Sequence, residues 1–534
     1  MKHITSWMVL LALLTSSCTD WLTENPPAST SRSEFFSTSM AAVYATNAAY
    51  VPLQWEYNYT YYSEWFIGDV VSDDALKGGQ NTSDMADAYA MENFKTTDNN
   101  GLLLDFYRAQ YQGINRCNLA LEEIPKMSND SILTLELQSR LLGELRFLRA
   151  MYYFRLVRVF GGVPWVDFVI ESAEKWQQPR ASANDIYSFI INDLKDANQR
   201  LWEKSEYESE DLGRATKGSA QAMLLKTYLY THDYESAKSW GDSILRSTEY
   251  GLQADYADLF LYNGKEDLAP VAGENGSESV FEIQYVDDPT SDYGGSGGIG
   301  GNGFTRGSFT VVLTRSRSSI LGGGWGFNKP TQNLYNEYES GDPRRDVTIL
   351  NPTDAEIEKP ETEIYLGNRY LNRKSGMYLK AARDYTKLSH QSRGALNNKL
   401  IRYADVLLMY AEACCETNHF DDAKAALNQV RARARGNNTT ILPDFPYGNY
   451  TDGNKDDLRK AIRHERRVEL GMEGHRWFDL CRWGIAKATM DAYKAQETSD
   501  VQQHIAEFVA GKHELFPIPS QERELNPMEQ NPHY

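Results

Sequence analysis

Thr231-His232-Asp233-Tyr234-Glu235-Ser236-Ala237-Lys238 returns in altered spelling as Thr417-Asn418-His419-Phe420-Asp421-Asp422-Ala423-Lys424. Each copy follows one amphipathic stretch and opens another. Around the second copy, apolar residues fall at Leu400, Tyr403, Leu407, Tyr410 and Cys414, and then at Ala423, Leu427, Val430 and Ala434. This i+3/i+4 spacing predicts two helices joined by a tight turn. A small Ala three residues after an aromatic lets the two helices approach while the ring fills their seam. Such a hairpin cannot bury its apolar faces alone, so it predicts stacked neighbours.

The pattern resembles the tetratricopeptide repeat, with Ala150–Phe154 and Leu194–Leu201 as the places for weaker copies. Leu145, Leu148, Tyr152, Leu156 and Val159 stripe a helix that Gly161-Gly162 and Pro164 terminate. Ser182-Ala183-Asn184-Asp185 opens the next helix with a capping pattern. Between about 265 and 400 the character changes. Glu278–Tyr285 alternates like a half-buried strand, 294–303 is glycine-rich, and 352–363 is acidic and proline-bearing. Tyr50–Asn100 also lacks long helical patterns. The expected fold is therefore mostly α: a tetratricopeptide-like helix-hairpin scaffold with irregular loop-rich and short β-strand insertions. Its expected parts are a loop-rich segment 18–100, helical repeats 101–262, a loop and short-strand insertion 263–399, and a C-terminal helical segment 400–534. Loops on a rigid scaffold are where binding residues concentrate.

The N-terminus reads as a targeting segment. Lys2 precedes the apolar run Trp7–Leu14, then Thr15-Ser16-Ser17-Cys18. An apolar run this short falls far below the ~20 residues that span a bilayer. Residues 1–17 read as a signal peptide, and Cys18 resembles a lipobox cysteine whose acyl chains would hold the protein at a membrane. A formal charge of −19 argues against nucleic acid as a partner. The local exception, Arg431-Ala432-Arg433-Ala434-Arg435, is expected on a solvated helix face or paired with nearby acids. Cys117, Cys414, Cys415 and Cys481 show neither a C-x-x-C pair nor zinc-type spacing.

Enzyme motifs fail on context. Gly294–Gly298 satisfies G-x-S-x-G without the strand and helix a nucleophile elbow needs. Gly298–Gly303 fits G-x-G-x-x-G, yet no helix start follows. His464-Glu465 lacks a second His at 468, where Val stands. Asp73-Asp74 as neighbours in extended chain would point to opposite sides, whereas glycoside hydrolysis needs two carboxyls facing one sugar. No catalytic residue, cofactor or metal site is expected. Calcium is conceivable among so many acids, but no spaced loop specifies it.

Ile462–Leu480 followed by Arg482-Trp483-Gly484 resembles the signature of the SusD/RagB family of surface lipoproteins. The end of the chain, Leu515–Pro519 through Asn531-Pro532-His533-Tyr534, is similar too, as are Arg402–Leu408, Gly341–Arg345 and Glu144–Ala150. From the residues alone, Arg466 with Glu469, or Arg476 with Asp479, are helix neighbours able to pair, which favours structural roles. The resemblance implies an outer-membrane, lipid-anchored, non-catalytic protein that faces the cell exterior. It would bind oligosaccharides and deliver them to a SusC-like TonB-dependent transporter. A peptide-binding lid and a surface glycan-degrading enzyme are the alternatives. Sugar rings pack C–H faces on aromatics while their hydroxyls seek charged groups and amides. On that chemistry the expected ligand contacts are Trp55, Tyr57, Tyr59, Trp65, Asp73, Asp74 and Lys77 in one segment. Tyr293, Trp325, Phe327, Arg373 and Tyr378 form the other.

Overall fold

The structure is a computed structural model that describes residues 31–55, 64–127, 132–264, 271–288 and 306–534. Cys18, Tyr57, Tyr59, Tyr293 and the glycine run 294–303 lie outside these residues.

Long helices carry the fold, and short polar side chains start them. Helix α1 spans Ser39–Tyr50 and is capped by Thr38; α2 spans Gly101–Glu123 behind Asn100; α3 spans Leu135–Phe160 behind Thr134. Helix α4 spans Ala183–Arg200, with Ser182 accepting from the Asp185 amide, the predicted cap. Helices α5 (Lys217–Tyr230) and α6 (Tyr234–Arg246) form the first repeat hairpin. Further on, α8 (Tyr403–Glu416) and α9 (Phe420–Arg435) form the second. The short α7 (Thr310–Thr314) lies between them in sequence. A 12-residue helix at α1 sits within a segment that reads as loop-rich, because its small-residue sequence carries little helical stripe.

The two repeat turns match atom for atom. His232 and Asn418 hold the equivalent left-handed positions. The Asp233 amide donates to the Tyr228 carbonyl, and the His419 amide to that of Cys414, which closes both helix ends in the same way. Ala237 and Ala423 are both fully buried. A Cβ on Gly241 would meet the Tyr410 ring at 2.4 Å, so only glycine allows α6 and α8 this approach. Helix α3 packs between α2 and α4, α5 on α6 and α4, and α8 between α6, α9 and α10 (Lys455–Leu470). Helices α11 (Arg476–Arg482) and α12 (Ala486–Gln496) close the chain's C-terminal part. Among the described residues no helix is long and apolar enough to cross a membrane, and the four cysteines they include are free thiols.

The irregular part is tied by three antiparallel two-stranded ribbons. Strand β1 (Ala75–Gly78) pairs with β3 (Phe327–Pro330), β2 (Ser279–Ile283) with β6 (Asn398–Arg402), and β4 (Ile349–Leu350) with β5 (Leu371–Asn372). Strand β2 is buried along its whole length, not half-buried. Leu400 belongs to β6 and not to the helical stripe, which starts at Tyr403.

Helix α10 joins scaffold to ribbons through buried ion pairs. Glu469 meets Arg344, Arg402 and Arg433; Glu465 meets Arg344 and Arg431; Glu473 meets Arg402 and Lys374. Arg402 also holds Glu278 at 2.7 Å, binding β6 to the start of β2. The expected helix-neighbour pairs do not form. Arg466 reaches Asp405 and Asp479 instead, and Arg476 reaches Asp73. Arg431 and Arg433 are buried in these pairs, so only the pairing half of the expectation for 431–435 holds. Tertiary partners outbid the local ones because both charges are buried and each needs several bonds.

Removing Glu469 leaves three buried guanidiniums short of negative charge. Glu469→Gln is expected to lower the unfolding free energy by about 3–5 kcal/mol in denaturant titrations. Burial works against ionising Glu473, but Arg402 and Lys374 outweigh it and hold its carboxyl at about 2. A depressed carboxylate stabilises the fold above its unfolded value and stops doing so as pH falls through the folded one. Wild-type stability should therefore drop between about pH 4.5 and 2, and more steeply than that of Glu469→Gln. That variant lacks a second carboxylate that, against burial, Arg433, Arg402 and Arg344 hold well below its ordinary value. A parallel decline in the two proteins would contradict the network's role.

Candidate ligand-binding cleft

One cleft of about 80 Å³ opens where the irregular segments converge on the scaffold. Glu64 and Trp65 form one wall, with Ser308, Thr310 and Val311 beside them. Asn328 of β3, Lys374, Phe260, the β6 region 396–400, and Met472 with Glu473 after α10 complete it. The ion network reaches this lining directly. Lys374 donates to Glu473 at 2.6 Å and to the Gly471 carbonyl at 2.8 Å, so the end of α10 is fastened to the insertion at the cleft.

Of the predicted tryptophans, the buried Trp65 lines the cleft and Trp325 stands near it, outside the lining. The Trp65 indole N–H donates to the Thr310 hydroxyl at 3.3 Å, and its ring stacks on Phe66 at 3.8 Å. Trp325 is half-buried and stands edge-on to Phe309 at 5.4 Å, with its amide bonded to the Val312 carbonyl. Helix α7 thus anchors both rings, one from each predicted segment.

The other described candidates have interior roles. Asp73 accepts from Arg476 at 2.8 and 2.9 Å and pairs with Arg467, while Asp74 pairs with Arg467 at 2.7 Å. Burial opposes ionisation of Asp73, but these guanidiniums outweigh it and hold its carboxyl at about 2. Both carboxylates turn toward one arginine, because the turn around 70–74 is not extended chain. Lys77 is fully buried, and its ammonium donates to the carbonyls of Gly78, Asn81 and Asp84. Burial brings it down to about 8. Phe327 and Tyr378 are core residues, and the Tyr378 hydroxyl donates to the Leu321 carbonyl. Arg373 donates to the carbonyls of Asp346, Leu379 and Ala382. Trp55 is buried beneath the Arg116 guanidinium at 5.2 Å. These side chains offer a ligand no free polar edge.

Sequence reasoning missed Asn328, Lys374 and Lys399. Lysines and amides in irregular sequence read as solvated, and only the β6–β2 and β3–β1 pairings bring them inward. The cleft's carboxylates are not set for acid catalysis. Both of its glutamates, Glu64 and Glu473, are held ionised at about 2 against burial, the first by Arg158 and Arg155. A glycosidase acid needs the opposite shift. Asp69, which burial pushes up to about 7, is 1% exposed and bonded to Asn328 and the Gly474 amide. Among the described residues no group of three His, Cys, Asp or Glu side chains gathers as metal ligands.

Comparison with known proteins adds to this geometry. A model described as the SusD family matches residues 277–534, and one described as starch-binding, associating with outer membrane, matches residues 20–229. SusD-like protein P2 of Formosa agariphila is 26% identical over the full length of both chains. A SusD-like protein of Bacteroides ovatus is 25% identical over 88% of this chain and 81% of its own. Among solved structures, a laminarin binding SusD-like protein superposes with a TM-score of 0.74 at 26% identity, covering 93% of this chain and all of its own. Surface glycan-binding protein A from Bacteroides thetaiotaomicron, solved with laminarihexaose, shares the fold with a TM-score of 0.75 at 23% identity. That match covers 92% of this chain and 99% of the other.

Asp73→Asn tests the structural assignment of the aspartate pair. Leaving Arg476 and Arg467 under-neutralised is expected to cost about 3 kcal/mol of unfolding free energy. Ligand retention per folded molecule should not change, measured by native affinity electrophoresis. Lost retention in a protein of unaltered stability would return Asp73 to the binding surface.

Proposed function

The chain belongs to the SusD/RagB family, and from that premise we propose that it is a non-catalytic glycan-binding protein of the outer membrane surface. Its helix hairpins form a rigid platform, and its irregular segments grip oligosaccharide at the cleft beside Trp65 and Trp325. The observation that carries this reading is that α7 fixes one indole from each irregular segment next to a polar cleft whose carboxylates are locked by cations. Such a site can hold a sugar by ring stacking and hydrogen bonds but has no proton to deliver. Millimolar capture needs only about 4 kcal/mol, which a few contacts supply.

The reading extends to location and partner. Cys18 would carry the lipid that keeps the protein at the membrane, and the cargo would pass to a TonB-dependent transporter barrel. A groove of about 480 Å³ between α2, the 164–170 loop and the C-terminal 522–525 stretch supports such a partner. Exposed Trp165, Ile170 and Leu525 lie in the same two stretches, and exposed apolar patches of this kind mark protein contacts. Arg32, which pairs with Glu171 at 2.7 Å, brings the N-terminal side of the chain to the same region.

The test is affinity electrophoresis of the lipid-free protein against a polysaccharide panel. Trp325→Ala is expected to weaken retention by a retarding glycan about three- to tenfold, and long incubation should release no free sugar. Undiminished retention in that variant, or sugar release by pure protein, would overturn the proposal.

A further inference from the structure

Among the described residues, one ammonium of the cleft lining has no hydrogen-bond partner. Lys399, in the middle of β6, lines the cleft and is only 5% exposed. Its ammonium lies 5.7 Å from the ring centre of Phe260, another residue of the cleft lining. Among the described residues this nitrogen has no hydrogen-bond partner. Three other buried lysines are hydrogen-bonded: Lys77 to three carbonyls, Lys226 to Asp405 and Lys374 to Glu473; Lys329 lacks a hydrogen bond but has the Glu363 carboxylate at 3.6 Å. A second unpartnered atom lies in the same lining. Asn328 is 1% exposed and donates its amide to Asp69, but its Oδ1 accepts nothing among the described residues.

Glu473 serves Arg402 and Lys374, and Glu64 serves Arg155 and Arg158. Two further glutamates stand near Lys399 without bonding it among the described residues. Glu282, opposite it across the ribbon, accepts from the Asn275 amide and the Asn397 side chain with one oxygen and leaves the other unpartnered. Glu274 accepts from the Asn397 amide, and the Lys399 charge favours its ionised form. An ammonium taken from water without a bonded anion is costly, so a cleft that keeps one suits a ligand that bonds it directly.

We infer that Lys399 is the receptor for an anionic substituent, a uronate carboxylate or a sulfate ester, of an acidic glycan. The sugar ring stays at the mouth against Trp65, and Asn328 Oδ1 accepts one of its hydroxyls. The inference rests on the glycan-binding reading and narrows it. A chain of net charge −19 repels polyanions in general, so selective retention of an acidic glycan calls for a local cation of this kind.

The experiment compares lipid-free wild type, Lys399→Met and Lys399→Arg in native gels. The gels contain polygalacturonate for the carboxylate arm, carrageenan for the sulfate arm, or neutral galactan and xylan. Wild type should be retarded by at least one acidic polymer. Lys399→Met should weaken that retention about tenfold, Lys399→Arg should keep most of it, and the Met variant should melt no lower than wild type. Calorimetry on wild type alone gives an independent answer. In the carboxylate arm galacturonate should compete for the site and galactose should not; in the sulfate arm galactose 6-sulfate takes galacturonate's place. Retention only by neutral polymers, or acidic retention unchanged in Lys399→Met, overturns the inference and leaves the glycan-binding reading intact. Retention by no polysaccharide removes that broader reading as well.

Discussion

Glu469, fully buried near the end of α10, receives three guanidiniums: Arg344 from the irregular insertion, Arg402 from β6 and Arg433 from α9. Every other relation between platform and insertion depends on this junction. Buried ion pairs add little net stability compared with a well-packed apolar core, yet they are costly to break singly. They also fix geometry, since a planar guanidinium bonded to two or three carboxylates has few alternative placements. Arg402 alone spans β6, the residue before β2 and the end of α10. The cleft forms at that seam, and Lys374 and Glu473 belong to both network and lining.

Function follows from what the network does to charge. Cations hold the cleft's carboxylates ionised, so the site lacks a group poised to protonate a leaving sugar. It retains aromatic faces, amides and one ammonium. Such groups can hold a sugar reversibly, as the proposed binding role requires. Rigidity supports this as well, because a site fixed before the ligand arrives loses less ordering entropy on binding.

How much of this was legible in the sequence differs by the range of the interaction. The hairpins at 231–238 and 417–424 were readable because periodicity, caps and turn residues are local, and the structure repeats them down to the left-handed His232 and Asn418. The ion network was not. Arg466 and Glu469 looked like each other's partners because helix spacing reveals a shared face but not what lies across it. Arg344, Arg402, Arg431 and Arg466 are buried, against the ordinary habit of arginine. The site was legible in part. Of the aromatics the sequence offered, Trp65 lines the cleft, and Trp325 stands against Phe309 outside its lining. Phe327 and Tyr378 could not be told from binding aromatics, since a buried ring and a ligand-stacking ring are spelled alike. Lys399 stayed hidden because only the β2–β6 pairing turns it inward.

The central claim is that ligand is held where the irregular segments meet the scaffold at the end of α10, with the hairpins serving as support. A crystal structure of the lipid-free protein with an oligosaccharide that retards it tests this most directly. The account predicts sugar density at the cleft bounded by Trp65, Asn328 and β6, with the hairpin faces of α5, α6, α8 and α9 free of ligand. Density confined to those hairpin faces or to the groove beside α2 would contradict it.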